Sequence, residues 1–574
     1  MTNDDDKLQV VLCWHMHQPE YRDLRSGEYQ LPWTYLHAIK DYVDMAGHLE
    51  AHPAARAVVN FAPILLDQLA DYCSQLEDYE QHCQALRDPL LAALAEPTLP
   101  ADAAGRLRLI TQCLRANDRR IIERFPVFQR LATMGRALLK QPETLMYTSN
   151  QYFVDLVVWY HLGWLAETAR RSDARIRRLQ DQQHGYSLHE RRQLLQIVRE
   201  LIGSVIPRFR ALAERGQVEL AFSPEAHPIL PLLLDFNAAR EALPAAELPL
   251  VAAYPGGEER ARWHLSQGLV TFERHFGLRP AGCWPSEGGL SDGTVRLLAE
   301  QGIRWCASGE SVLRNSLSRQ PPGRDAATRT CQHRAYRVGD VPVDCFFRDD
   351  GLSDLIGFRY ADWHADDAVG NLLHHLEEIA RSCTDRRNCV VTIILDGENA
   401  WEYYPENAYH FLHQLYEGLA AHATLELTTF SRFLARQPRP QTLPGLVAGS
   451  WVYGSFSTWI GDPDKNRGWD LLAEAKHHFD QVQASGRLDP EQLAAAERQL
   501  AVCEGSDWFW WFGDYNPAAS VMDFERLFRL HLSNLYQALG LEPPAYLAQQ
   551  ISQGSGAPAM GGVMRPGQSS GDGA

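Results

Sequence analysis

The chain has 574 residues, 45% hydrophobic and 22% charged, the balance of a folded globular protein too long for one ordinary core. Its formal net charge of -17, without a long basic run, argues against nucleic acid or an anionic membrane as partner. No stretch approaches the ~18 apolar residues of a membrane span, residues 1–7 lack a signal-peptide pattern, and the 11 cysteines contain no CxxC pair; a mostly reduced, cytoplasmic protein is expected.

Strand-like runs recur at residues 10–13, 57–61, 218–222, 303–307, 343–347 and 390–395, separated by segments rich in Ala, Leu, Glu and Arg. Alternation of this kind predicts a parallel sheet, open or closed into a barrel. The first run ends in WHMHQP, residues 14–19. Residues two apart on a strand share a face, so His15 and His17 point into one cavity. Such a pair binds a metal in amidohydrolases, donates to substrate hydroxyls, or is a structural pair satisfied by backbone. After the second run comes a long helical insertion, about 66–215, carrying Trp159, Tyr160 and Trp164 and read as a lid, a subdomain or a packing element.

The third run contains Glu219, an acid in an apolar strand that must be paired or hydrogen-bonded. Glu225, a turn residue or a site acid, and His227 follow it. Glu287 lies in GCWPSEGG, residues 282–289, and Asp396 closes the apolar run 390–395 ahead of Gly397, Glu398, Asn399 and Trp401. Alone, DGEN also reads as a calcium loop or a plain turn. Placed after six apolar residues it reads as a site. Both acids stand at strand C-terminal ends, where barrel enzymes put their chemistry, and a carboxylate pair among aromatics is the equipment for cleaving a sugar bond.

Past residue 428 the pattern changes. Prolines and a glycine at 438–445 look like a linker, and apolar periodicity through Leu471, Ala475, Phe479 and Val482 predicts helices over about 465–548. There GSDWFWWFG, residues 505–513, packs three Trp and two Phe around Asp507. Most such stripes are core, but Asp507 needs a partner, a sugar or a site histidine. From residue 554 the Gly, Ser and Pro composition predicts a disordered tail.

Together these pieces resemble glycoside hydrolase family 57. Its five sequence regions occur here in order: HMHQP, the segment ending HPILP at 231, CWPSEGG, ILDGENAWE and SDWFWWFG. The stretch FFRDDGLSDLIGF, residues 346–358, is similar to the amylopullulanase and α-amylase branch. The resemblance implies a (β/α)7 barrel over 1–430 with the insertion, an α-helical domain over 431–553 closing over the cleft, and a tail over 554–574. It further implies retention of anomeric configuration with no cofactor and no required metal. By motif match Glu287 is the nucleophile and Asp396 the general acid/base. His15, His17, Glu219, Trp284, Glu398, Asp507 and Trp510 are the supporting contacts to substrate. The expected reaction is hydrolysis of α-1,4, with some α-1,6, bonds of maltodextrin, starch or glycogen. The alternatives are a glucanotransferase or branching enzyme, a metal-dependent amidohydrolase or deacetylase, and a catalytically silent glycan-binding protein.

Overall fold

The computed structural model describes residues 7–319, 332–556 and 564–565. Ten strands form one sheet: β1 (Leu8–Met16), β2 (Ala57–Phe61), β3 (Val218–Phe222), β4 (Gly282–Cys283), β5 (Trp305–Ser308), β6 (Tyr336–Val338), β7 (Asp344–Phe347), β8 (Val390–Asp396), β9 (Leu425–Leu427) and β10 (Gln441–Leu443). Seven of them, β7-β5-β4-β3-β2-β1-β8, are parallel neighbours in that order. The ring is completed where the segment after β7 reaches β8: Asp349 N donates to Thr392 O at 2.7 Å and Arg348 Nη1 to Ile394 O at 3.2 Å. The result is a (β/α)7 barrel with helices between the strands. β1 and the first six residues of β8 are buried throughout, which is why both read as nearly continuous apolar runs.

Between β2 and β3 the chain forms helices joined by loops and no strand, from Pro63–His82 to the 27-residue Leu188–Glu214, whose start is fixed by a capping box of Ser187 and Glu190. The helices Pro463–Ser485, Pro490–Cys503, Ser506–Trp511 and Ala518–Ala538 build the second domain, and Leu471, Ala475, Phe479 and Val482 are buried there as their spacing requires. The expected linker holds structure of its own: β10 pairs with β6, so the barrel's sheet continues past residue 430. Cys383 and Cys389 are bonded to each other, and the other eight described cysteines are free. No helix among the described residues is long and apolar enough to cross a membrane. Of the expected disordered tail, residues 554–556 and 564–565 are ordered against the helical domain; the rest lies outside the described residues.

Candidate active site

The strands aim their C-terminal ends at one cavity of about 500 Å3. Parallel register sets His15 opposite Asn60 on one side and Asp396 on the other. Asn60, the polar residue of an otherwise apolar strand, is joined to His15 Nδ1 through its Oδ1 at 2.6 Å. His17, Glu287, Asp396, Glu398, Asp507 and Trp510 line the cavity with His15. Elements outside the barrel strands also line it, among them Trp164 of the helical insertion and Asp507 with the aromatic helix that carries it.

Each acid is held differently. Glu287 follows β4 in a short turn with φ of 58°, and Gly288 continues it at 63°. The left-handed region is costly for a side chain with a β-carbon and persists where surroundings over-determine it. Trp451 supplies that constraint: its N–H donates to Glu287 O at 3.0 Å and its indole Nε1 to Glu287 Oε2 at 2.9 Å. Burial pushes the Glu287 carboxyl well above the ordinary range, with Asp396 adding to the shift and the Trp451 hydrogen bond opposing it. Asp396 ends β8 and accepts from Asn399 Nδ2 at 2.9 Å. Burial raises it as well, against the hydrogen bond from Asn399 and the charge of Arg348. Glu398, which accepts from His17 N at 3.1 Å and Gln18 Nε2 at 3.3 Å, is raised by burial and by Asp396. Two like charges close together in a buried site leave at least one protonated near neutrality, the state an acid catalyst starts from.

Three near-parallel imidazoles cluster in a triangle, with His15 and His17 centroids 5.7 Å apart. His17 and His227 stack with centroids 3.8 Å apart, and His15 lies 5.1 Å from His227. Burial, with the neighbouring His17, holds His15 at about 3 and His227 well below the histidine range, so both rings are neutral. His17 Nε2 bonds Asp507 Oδ1 at 2.9 Å, joining the barrel to the helical domain. Buried His17 Nδ1 and His227 Nε2 find no hydrogen-bond partner among the described residues. Such orphaned atoms are costly unless a ligand satisfies them.

His17, His227 and Asp507 offer donor atoms within 4.8 Å of one another, the separation of a metal site. The ring geometry does not fit an ion. An imidazole binds a cation near its own plane at about 2 Å, whereas these two rings are stacked at an interplanar angle of 21° and their planes do not meet between them. Asp507 already accepts from one of the two rings.

Two of the expected contacts stand elsewhere. Glu219 lies near the start of β3, away from the cavity, where it accepts from Trp305 Nε1 at 2.7 Å and from Ser431 N at 2.8 Å. An acid in an apolar strand needs partners, and here they are structural. Trp284 is fully buried behind the Glu287 turn, edge-on to Trp451 at 5.1 Å, and supports the turn without lining the cavity. Glu225 is buried, and burial with nearby Asp67 lifts it to about 7. The expected list omitted Trp451, Asn60 and Arg348. Arg348 is buried, bonds Asp350 at 2.7 Å and faces the Trp451 ring at 5.2 Å. An arginine just past a strand end and ahead of two aspartates was the available signal; for Trp451 it was a tryptophan in a Gly- and Ser-rich loop.

The helix Ser506–Trp511 is locked in place from both ends. Ser506 N donates to His227 O at 3.0 Å, and Ser506 Oγ lies 3.0 Å from His227 Nδ1. At the other end buried Lys465 donates to the carbonyls of Phe509 and Phe512 at 2.5 Å each, as a cation at a helix C-terminus should, with burial lowering it to about 7.

A family model described as glycosyl hydrolase family 57 matches residues 11–445. Over 119 residues the chain is 26% identical to the 1,4-alpha-glucan branching enzyme TK1436 of Thermococcus kodakarensis, a match spanning 21% of this chain and 14% of that enzyme. The crystal structure of TK1436 with glucose and additives superposes with a TM-score of 0.55 at 16% identity, covering 92% of this chain and 90% of that one. A GH57-type branching enzyme from Pyrococcus horikoshii gives 0.56 at 16% identity, covering 96% and 98%. The α-amylase AmyC from Thermotoga maritima gives 0.55 at 15% identity, covering 93% and 94%. At these identities the likeness is one of fold.

Proposed function

We propose that this chain, which belongs to glycosyl hydrolase family 57, is a retaining enzyme of α-glucans that cleaves α-1,4 glucosidic bonds through a covalent glycosyl-enzyme. The observation that carries this reading is the pair Glu287 and Asp396, two half-buried carboxyls facing one cavity with tryptophans on its walls. Glu287, ionised and steadied by the Trp451 indole, attacks the anomeric carbon as Asp396 gives its proton to the leaving oxygen. Asp396 then takes a proton from the incoming acceptor, which displaces Glu287. Burial raises both carboxyls, so the form that reacts is the one in which the pair's single proton sits on Asp396, the form that positive charge developing at the anomeric carbon favours. His17 and Glu398 hold ring hydroxyls, and Trp510 supplies a stacking face.

A second reading, transfer to a glucan hydroxyl, is favoured by the match to an enzyme described as a 1,4-alpha-glucan branching enzyme. Water and a sugar hydroxyl use the same catalytic pair, and the walls of the cleft decide between them. Incubating purified protein with maltoheptaose, beside Glu287→Gln, and resolving the products by size tests both. Shorter products alone, absent in the variant, are the expected result. Products both longer and shorter than the input favour transfer. An unchanged substrate in both samples, repeated with branched glucans, overturns the glucan reading.

A further inference from the structure

The glycine-rich segment from residue 554 does more than trail from the helical domain. Ser555 N donates to Asp514 O at 2.8 Å and Gly556 N to Asn516 O at 3.1 Å, with a parallel bridge between Pro517 and Gly556. The approach is so close that a β-carbon on Gly556 would stand 1.8 Å from the carbonyl oxygen of Tyr515, and one on Gly554 2.5 Å from that of Asn516. The glycines that suggested disorder are what allow this packing. Beyond them, Met564 is buried and Arg565 reaches the catalytic cavity; both line it. The Arg565 guanidinium lies 5.6 Å from the Trp510 ring and 5.3 Å from the Tyr515 ring, and its Nη2 donates to Asn516 Oδ1 at 2.7 Å. Asn516 in turn donates to Trp511 O at 2.9 Å, tying Arg565 to the helix that carries Asp507 and Trp510.

We infer that Arg565 is a substrate-binding residue of the cleft, donating hydrogen bonds to the hydroxyls of a glucan chain beside the Trp510 platform. The inference rests on the α-glucan reading above. A guanidinium carries five N–H donors in a rigid fork. Propped on two aromatic rings and held by Asn516, it presents the remaining donors to the cavity at little entropic cost.

Maltoheptaose binding by titration calorimetry, with Glu287→Gln as the parent so that nothing turns over, tests it. Adding Arg565→Ala should weaken binding about 10-fold, as loss of a charged hydrogen-bond donor does. Adding Asn516→Ala instead, which removes the acceptor that holds the Arg565 guanidinium, should weaken binding in the same direction. Equal affinity in all three proteins overturns the inference and leaves the glucan reading intact. Tighter binding in Arg565→Ala also overturns it, since the Arg565 side chain would then obstruct the cleft. A parent that binds no maltoheptaose overturns the glucan reading, and this inference with it.

Discussion

Glu504 and Glu287 are both carboxyls removed from water, and the protein treats them in opposite ways. Glu504, at the end of the helix Pro490–Cys503, accepts from Arg260 Nε and Nη2 at 2.8 Å each and from Tyr254 at 2.6 Å, and pairs with His264 Nε2 at 2.7 Å. Burial pushes it up, but Arg260 and His264 outweigh that and hold it at about 2. Glu287 has one hydrogen bond from an indole and an imidazole nitrogen at 3.9 Å, and burial carries it the other way. A structural acid is saturated with partners from the protein. Glu287, the proposed nucleophile, is left short of them, which leaves its surroundings for a substrate to complete.

Four changes sharpen or break that contrast. Glu287→Gln should lower kcat on the order of 10^4-fold while leaving the thermal midpoint level or higher, because an under-partnered buried acid has been neutralised; steady-state rates and a melting curve on one sample check both halves. Asp396→Asn should lower kcat by roughly 10^2- to 10^4-fold on maltodextrin, the range for losing a general acid. Glucosyl fluoride, whose leaving group needs no proton, should recover most of the first step.

Arg260→Ala does the reverse of a site change. It strands Glu504 in the interior and should cost about 3–5 kcal/mol in stability, read from the midpoint of denaturant unfolding. The pH sign follows from the depressed value. Glu504 ionises at about 2 in the folded chain against roughly 4.3 unfolded. Its stabilisation, about 3 kcal/mol at most, is therefore full above the unfolded value and lost as pH falls toward the folded one. Acid unfolding should begin at higher pH in the variant.

The smallest effect is at Trp451→Phe. Losing the indole donor lifts Glu287 further, so the acid limb of kcat/KM against pH should move up by about half to one unit. An unmoved limb would mean that this hydrogen bond does not tune the nucleophile.

The six longer parallel strands were legible in the sequence because each is a short, largely apolar run. β4 is two residues long, too short to stand out, and β6, β9 and β10 are three-residue strands with no buried run. Both acids of the site were legible from their positions at strand ends, as were His15 and His17 from the period of two. Glu219 was placed among the substrate contacts by motif match alone; the partner that an acid in an apolar strand requires is supplied by Trp305 and Ser431. Trp451 stood out only as a tryptophan in a Gly- and Ser-rich loop; its partner was not legible, because it reaches Glu287 from a residue separation of 164, which no local pattern encodes. The glycines at 554 and 556 pointed to disorder, since composition cannot distinguish a flexible chain from one packed where no β-carbon fits.

The central claim is that Glu287 becomes covalently bound to sugar. Incubating the protein with a ring-fluorinated α-glucosyl fluoride, which slows breakdown of the glycosyl-enzyme, followed by peptide mass spectrometry, addresses it directly. One hexosyl adduct is expected, on the peptide containing Glu287 and abolished in Glu287→Gln. An adduct on another residue, or turnover that yields the opposite anomer without any adduct, would contradict it.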